Sequence, residues 1–147
     1  MNTESDLHNR VLHTDDQLRD MLELLLQKAN QRQMWLLFMD EHGRLGEPIM
    51  PMADYPADPR AIVPIEDLRD VEEAYVLMHR IGMLIELTGN AQAVLAWERV
   101  GGSGVRDEER AWARAMVEHA VSIGVPLRTQ FVVHDAGVRQ LHADDYL

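Results

Sequence analysis

Gly101-Gly102-Ser103-Gly104 stands just ahead of a helix pattern that opens at Asp107, and a glycine-rich turn in that place can wrap a phosphate. The first N–H groups of a helix lack partners within it, and the helix dipole adds partial positive charge. A phosphate loop also needs a Lys-Ser or Lys-Thr pair after its last glycine, where this chain has Val105-Arg106. The dinucleotide pattern of three spaced glycines is not met either. Asp107, Glu108 and Glu109 would repel phosphate from the first helical turn. The loop therefore reads first as a flexible connector, with an anion or nucleotide site at Gly101 to Gly104 as an alternative. Ser103 lacks the Gly-x-Ser-x-Gly context of a nucleophile elbow.

The seven histidines include no His-x-His or His-x-x-x-His pair on one element, so no metal site is expected. His119 lies on an apolar helical face and reads as a core histidine with a backbone partner. His134 ends an apolar strand pattern, a place where catalytic groups and turn residues both occur. His134, Glu98, Asp135 and Ser103 are the candidates for a hydrolase site assembled from distant residues, provided they come within hydrogen-bond reach. The chain has no cysteine, which removes disulfides, thiolate zinc sites, iron–sulfur clusters and a cysteine nucleophile together. No cofactor is expected.

The formal charge is −11, from 25 acidic and 14 basic side chains, a field that repels a nucleic-acid backbone. Arg106, Arg110 and Arg114 share a helical face, but acids interleave them, so a solvated surface is expected there and not a nucleic-acid stripe. Trp35, Trp97 and Trp112 read as core. The amino terminus lacks the basic start and apolar run of a secretory signal, and no apolar stretch is long enough to cross a bilayer. A cytoplasmic, non-membrane protein is expected.

The elements that must position these residues follow from periodicity. Thr14-Asp15-Asp16-Gln17 matches a capping box, and Leu18, Met21, Leu22, Leu25 and Ala29 follow at helical spacing to near Asn30. Met34 to Met39 is a continuous apolar run, the pattern of a strand covered on both faces. A turn with Gly43 in the left-handed region leads to a second strand, Leu45 to Met50. Pro51, Pro56, Pro59 and Pro64 make the segment between them a long surface loop, a place where function can sit. A helix is expected from about Glu66 to Leu87, with Gly82 inside it only if close packing requires it. Then come a strand from Ala91 to Glu98, a helix from Asp107 to Ile123, a strand from Leu127 to Val133 and a short returning strand from Val138 to Leu141. Residues 1–13 and 142–147 read as loose termini. The order α-β-β-α-β-α-β-β predicts a single three-layer α/β domain, a central mixed sheet flanked by helices.

The second half of this pattern resembles the JAB/MPN metalloprotease-like domain, in particular its RadC-like branch. Ala93-Val94-Leu95-Ala96 is similar to the strand leading into that family's metal motif. Ser122-Ile123-Gly124-Val125-Pro126-Leu127 is similar to its helix end and next strand, and Phe131 to Val138 to its closing strand and turn. The family's signature is His-x-His-Pro followed by Ser-x-x-Asp, with two histidines and the aspartate on zinc. Here the histidine places hold Trp97 and Arg99, and the serine and aspartate places hold Arg106 and Glu109. Neither indole nor guanidinium coordinates zinc. The resemblance therefore implies a metal-free relative without the reaction.

Two readings of the altered pocket follow. In one, Trp97, Arg99, Gly101, Gly102, Ser103 and His134 line a cleft, and Arg99 receives a carboxylate such as a peptide carboxyl terminus. In the other, Trp97 plugs the old pocket and Arg99 pairs with a surface acid. The functional expectation is a non-catalytic binding or scaffolding domain contacting another protein or itself. The methionine- and leucine-rich first helix is the candidate surface for a homodimer.

Overall fold

The computed structural model describes residues 10–26, 29–65 and 69–146. Helix α1 (Asp15–Leu26) opens on the expected capping box: Gln17 N–H donates to Thr14 Oγ1 and Thr14 N–H to Gln17 Oε1, both at 3.1 Å. By Ala29 the backbone has left the helix, since its N–H donates to the His134 carbonyl at 3.2 Å. Strand β1 (Gln33–Met39) follows, and the turn after it holds Gly43 at φ 80°.

The expected second strand moves. Leu45 forms an isolated bridge to Met39, and the regular strand β2 is Met50–Met52, running antiparallel to Met34–Leu36 on the sheet edge. Pro51 is tolerated there because an edge strand needs no N–H on its outer side. The loop from Pro51 onward also contains a hairpin, β3 (Ile62–Ile65) with β4 (Arg69–Glu72). The helix expected from Glu66 therefore starts later. Residues 66–68 lie outside the described residues, and α2 is Glu73–Thr88. Val71, expected on that helix, instead pairs with Val63. The first helical N–H groups are taken by loop carbonyls, Glu73 N–H by Ala61 and Ala74 N–H by Pro59.

Strand β5 (Gln92–Glu98), helix α3 (Asp107–Ile123), strand β6 (Leu127–His134) and strand β7 (Gly137–Leu141) complete the sheet. Its strand order is β2-β1-β5-β6-β7. β5 and β6 are parallel with α3 as their crossover, and the other pairs are antiparallel. A five-stranded mixed sheet with helices on its two faces is the α/β domain the pattern implied; the hairpin is an addition to it. Of the segments expected to be loose, residues 1–9 and 147 lie outside the described residues. Leu12 is buried and its N–H donates to Gly43 O, while Leu141 is buried ahead of a short helix, α4 (Ala143–Tyr146).

The continuous apolar strands fill two cores. Met34, Leu36, Phe38, Leu95 and Trp97 face α2 and α3. Leu37, Met39, Val94, Ala96 and Phe131 face α1, whose Leu18, Met21 and Leu22 are buried against them. That apolar face of α1 is buried inside the molecule, while Leu24 on the same helix is exposed. Gly82 is required by packing: a Cβ there would meet Val125 Cγ2 at 2.8 Å, on the chain that follows α3.

Candidate functional site

Ligands of open α/β sheets collect at the carboxyl ends of parallel strands, and here that end is Glu98 of β5 beside the start of α3. Glu98 is buried and receives four N–H donors: Asn30 and Gln31 from the backbone on Oε2, and the Gln33 amide and Trp35 indole on Oε1. Burial pushes the carboxyl up, but the donors outweigh it and hold it below the ordinary carboxylate range. It is a structural anion that joins the residues after α1 to the start of β1, not a base.

Arg99 follows, 7% exposed. Its Nε donates to Glu109 Oε1 at 2.5 Å, and its two terminal nitrogens donate to the carbonyls of Gly102 and Gly104. Glu109 is 5% exposed, so the pair is an internal salt bridge between the end of β5 and the first turn of α3. The glycine loop thus turns two carbonyls toward a guanidinium, the opposite polarity from a phosphate cradle. Ser103 O accepts from Arg139, and Gly101 holds Asp135 through both its N–H and its carbonyl. Arg106 donates to Val100 O.

Trp97 does not line a cleft. It is 1% exposed, its indole N–H donates to Gln130 Oε1 at 2.9 Å, and its ring meets Tyr55 and Trp112 at 5.3 and 5.5 Å between centroids. A strand interior alternates its faces, and this face is turned to α3. The indole is packed inside the core. Arg99 does pair with an acid, though a buried one on α3 and not a surface one.

The remaining candidates are scattered among other partners. His134, 7% exposed, accepts the Ala136 N–H on Nδ1 at 3.2 Å. Burial and the Arg99 cation push its imidazole below the ordinary histidine range, so it is neutral at pH 7. His119 has a carboxylate partner, Glu72 at 3.4 Å, and not the backbone partner expected. Among the described residues, no group of three His, Asp or Glu is arranged to hold a metal ion. The Trp97 indole, donating to Gln130, and the ion-paired Arg99 guanidinium offer no lone pair to a metal ion.

No family model and no curated protein matches this chain.

The structure adds residues that the motif search passed over. Tyr55, in the proline-rich loop, wedges edge-on between Trp97 and Trp112 and is 9% exposed. Arg32 lies over its ring at 3.7 Å, donates to the Tyr55 and Pro56 carbonyls and pairs with Glu108. Trp112 Nε1 also donates to Pro56 O, at 2.9 Å. Residues 53–59 thus form a strap clamped across the open end of the core. Burial pushes the Tyr55 phenol up to about 12; Arg32 opposes this, and Glu108 and Glu109 add to it. Cavities lie on either side of Tyr55. One, of 270 Å³, is walled by Arg32, Arg106, Glu108 and the Arg99–Glu109 pair. The other, of 340 Å³, lies between the strap and α2 and is floored by Val76, Leu77 and Trp112. The one sequence signal for this region was the proline spacing, which marked an irregular surface segment. Nothing in it marked Arg32, twenty-three residues earlier, as the clamp.

Proposed function

We propose that the chain is a non-catalytic binding or scaffolding domain, metal-free and resembling the RadC-like branch of the JAB/MPN metalloprotease-like domain. It contacts another protein or a second copy of itself, in the cytoplasm. The observation that carries this reading is the buried Arg99–Glu109 pair at the carboxyl end of β5. On the resemblance, these two residues stand where a zinc-holding histidine and aspartate would. A guanidinium now supplies the positive charge and a glutamate neutralises it, with the loop carbonyls completing its donors. The groups that could do acid–base work nearby are held by structure: Glu98 by four donors and His134 by the turn at Ala136. What stays accessible at this end is the strap and its two cavities. Among the described residues no helix is long and apolar enough to cross a membrane, consistent with a partner met in solution.

Elemental analysis of the purified full chain, after incubation with zinc and dialysis, tests the metal-free reading. The expected result is far less than one zinc per chain. One tightly held zinc per chain, displacing the Trp97 indole N–H signal in a nuclear magnetic resonance spectrum, would overturn it.

A further inference from the structure

The cavity between the strap and α2 carries unused charge. Glu73, Val76, Leu77 and Arg80 recur at helical spacing on one face of α2 and all line it. Arg80 is exposed and has no ion-pair or hydrogen-bond partner among the described residues. The carboxylates of Glu73 and of Asp54, on the facing strap, have none either. Arginines elsewhere are paired: Arg32 with Glu108, Arg60 with Glu72 and Glu118, Arg110 with Asp107. Seven residues of helix separate Glu73 from Arg80 by roughly 10 Å along the axis. Between these opposite charges the floor is apolar, Val76 and Leu77 with Trp112 beneath.

An apolar floor with one charge of each sign at its ends is complementary to a ligand of the reverse polarity. We propose that this cavity binds a short extended peptide with free termini and an apolar middle residue. Its ammonium meets Glu73, with Asp54 as a second acid, and its carboxylate meets Arg80. Three extended residues span at most roughly 10 Å, the separation of the two helix positions. A bidentate guanidinium–carboxylate contact supplies orientation, and the middle side chain buries against Val76 and Leu77. The site is a different cavity from the one walled by the Arg99–Glu109 pair, and it rests on the reading of the chain as a non-catalytic binding domain.

The tripeptide Ala-Leu-Ala is the probe, titrated into the isotopically labelled full chain while amide and indole signals are followed. Saturable shifts are expected at Val76, Leu77, Arg80 and the Trp112 indole N–H. Arg80→Ala, an exposed change, weakens binding about tenfold, and amidating the peptide carboxyl does the same. The amidated peptide no longer distinguishes the variant from the parent. Absence of saturable shifts up to about 10 mM peptide, or equal binding of free and amidated peptide, overturns the proposal. The peptide's own proton signals separate this outcome from failure of the wider reading. Cleavage accompanied by the expected shifts keeps the ligand class and overturns the non-catalytic assignment.

Discussion

Glu98 shows how a residue that reads as catalytic becomes structural. A carboxylate at a strand end beside a glycine loop invites an acid–base role, yet four N–H groups from residues 30–35 converge on it. Its folded carboxyl lies below the ordinary value, so its stabilisation is full above the unfolded pKa, about 4.3. It is lost as pH falls through the folded value. Glu98→Gln removes the charge and sets an amide against N–H donors; the expected loss at pH 7 is about 1.5–3 kcal/mol. The gap to the parent narrows below about pH 4, where the parent carboxyl protonates too. Urea denaturation at the two pH values measures both, and an equal gap at each pH would contradict the ionic role. None of this was legible from residue type. Asn30, Gln31, Gln33 and Trp35 are distant from Glu98 in sequence, and only the antiparallel pairing of β1 with β5 brings them together.

At the scale of elements, what was legible was local. The capping box at Thr14 and Gln17 needs only four residues, and the apolar runs of β1, β5 and β6 declare a sheet covered on both faces. The strap and the β3–β4 hairpin were not, because distant partners hold them. Arg32 clamps the Tyr55 and Pro56 carbonyls, Trp112 holds Pro56, and Arg60 joins Glu72 of β4 to Glu118 of α3. Arg69 to Glu72 could continue a helix by composition; pairing with β3 made them a strand. Tyr55 is the anchor of this arrangement, and its hydroxyl has no partner among the described residues while its ring packs on two tryptophans. Tyr55→Ala is expected to cost about 3–5 kcal/mol by leaving a cavity, whereas Tyr55→Phe stays nearly neutral. Thermal unfolding of the two variants reads the difference, and equal losses would mean that the phenol oxygen matters and the ring packing does not.

For the whole molecule, the order of elements was enough to infer three layers, because continuous apolar runs in the strands demand cover on each face. The candidate site was half legible. Trp97 and Arg99 were identifiable as residues unsuited to zinc, but their destinations depended on which acid the α3 crossover delivers. Glu109 arrives there because α3 starts beside the end of β5 and turns one of its three first-turn acids inward. An internal ion pair of this kind adds little stability relative to an apolar pair of similar volume, yet breaking one half leaves a bare buried charge. This is why Arg99 is a part of the fold and not a free hand for a ligand. A double-mutant cycle on unfolding free energy is the most direct measure of that claim, with Arg99→Met, Glu109→Met and the two combined. Each single change is expected to cost about 3–5 kcal/mol, with the combined change costing less than either alone. Single changes that cost nothing, or costs that simply add, would mean that Arg99 is not tied to Glu109 and would contradict the account.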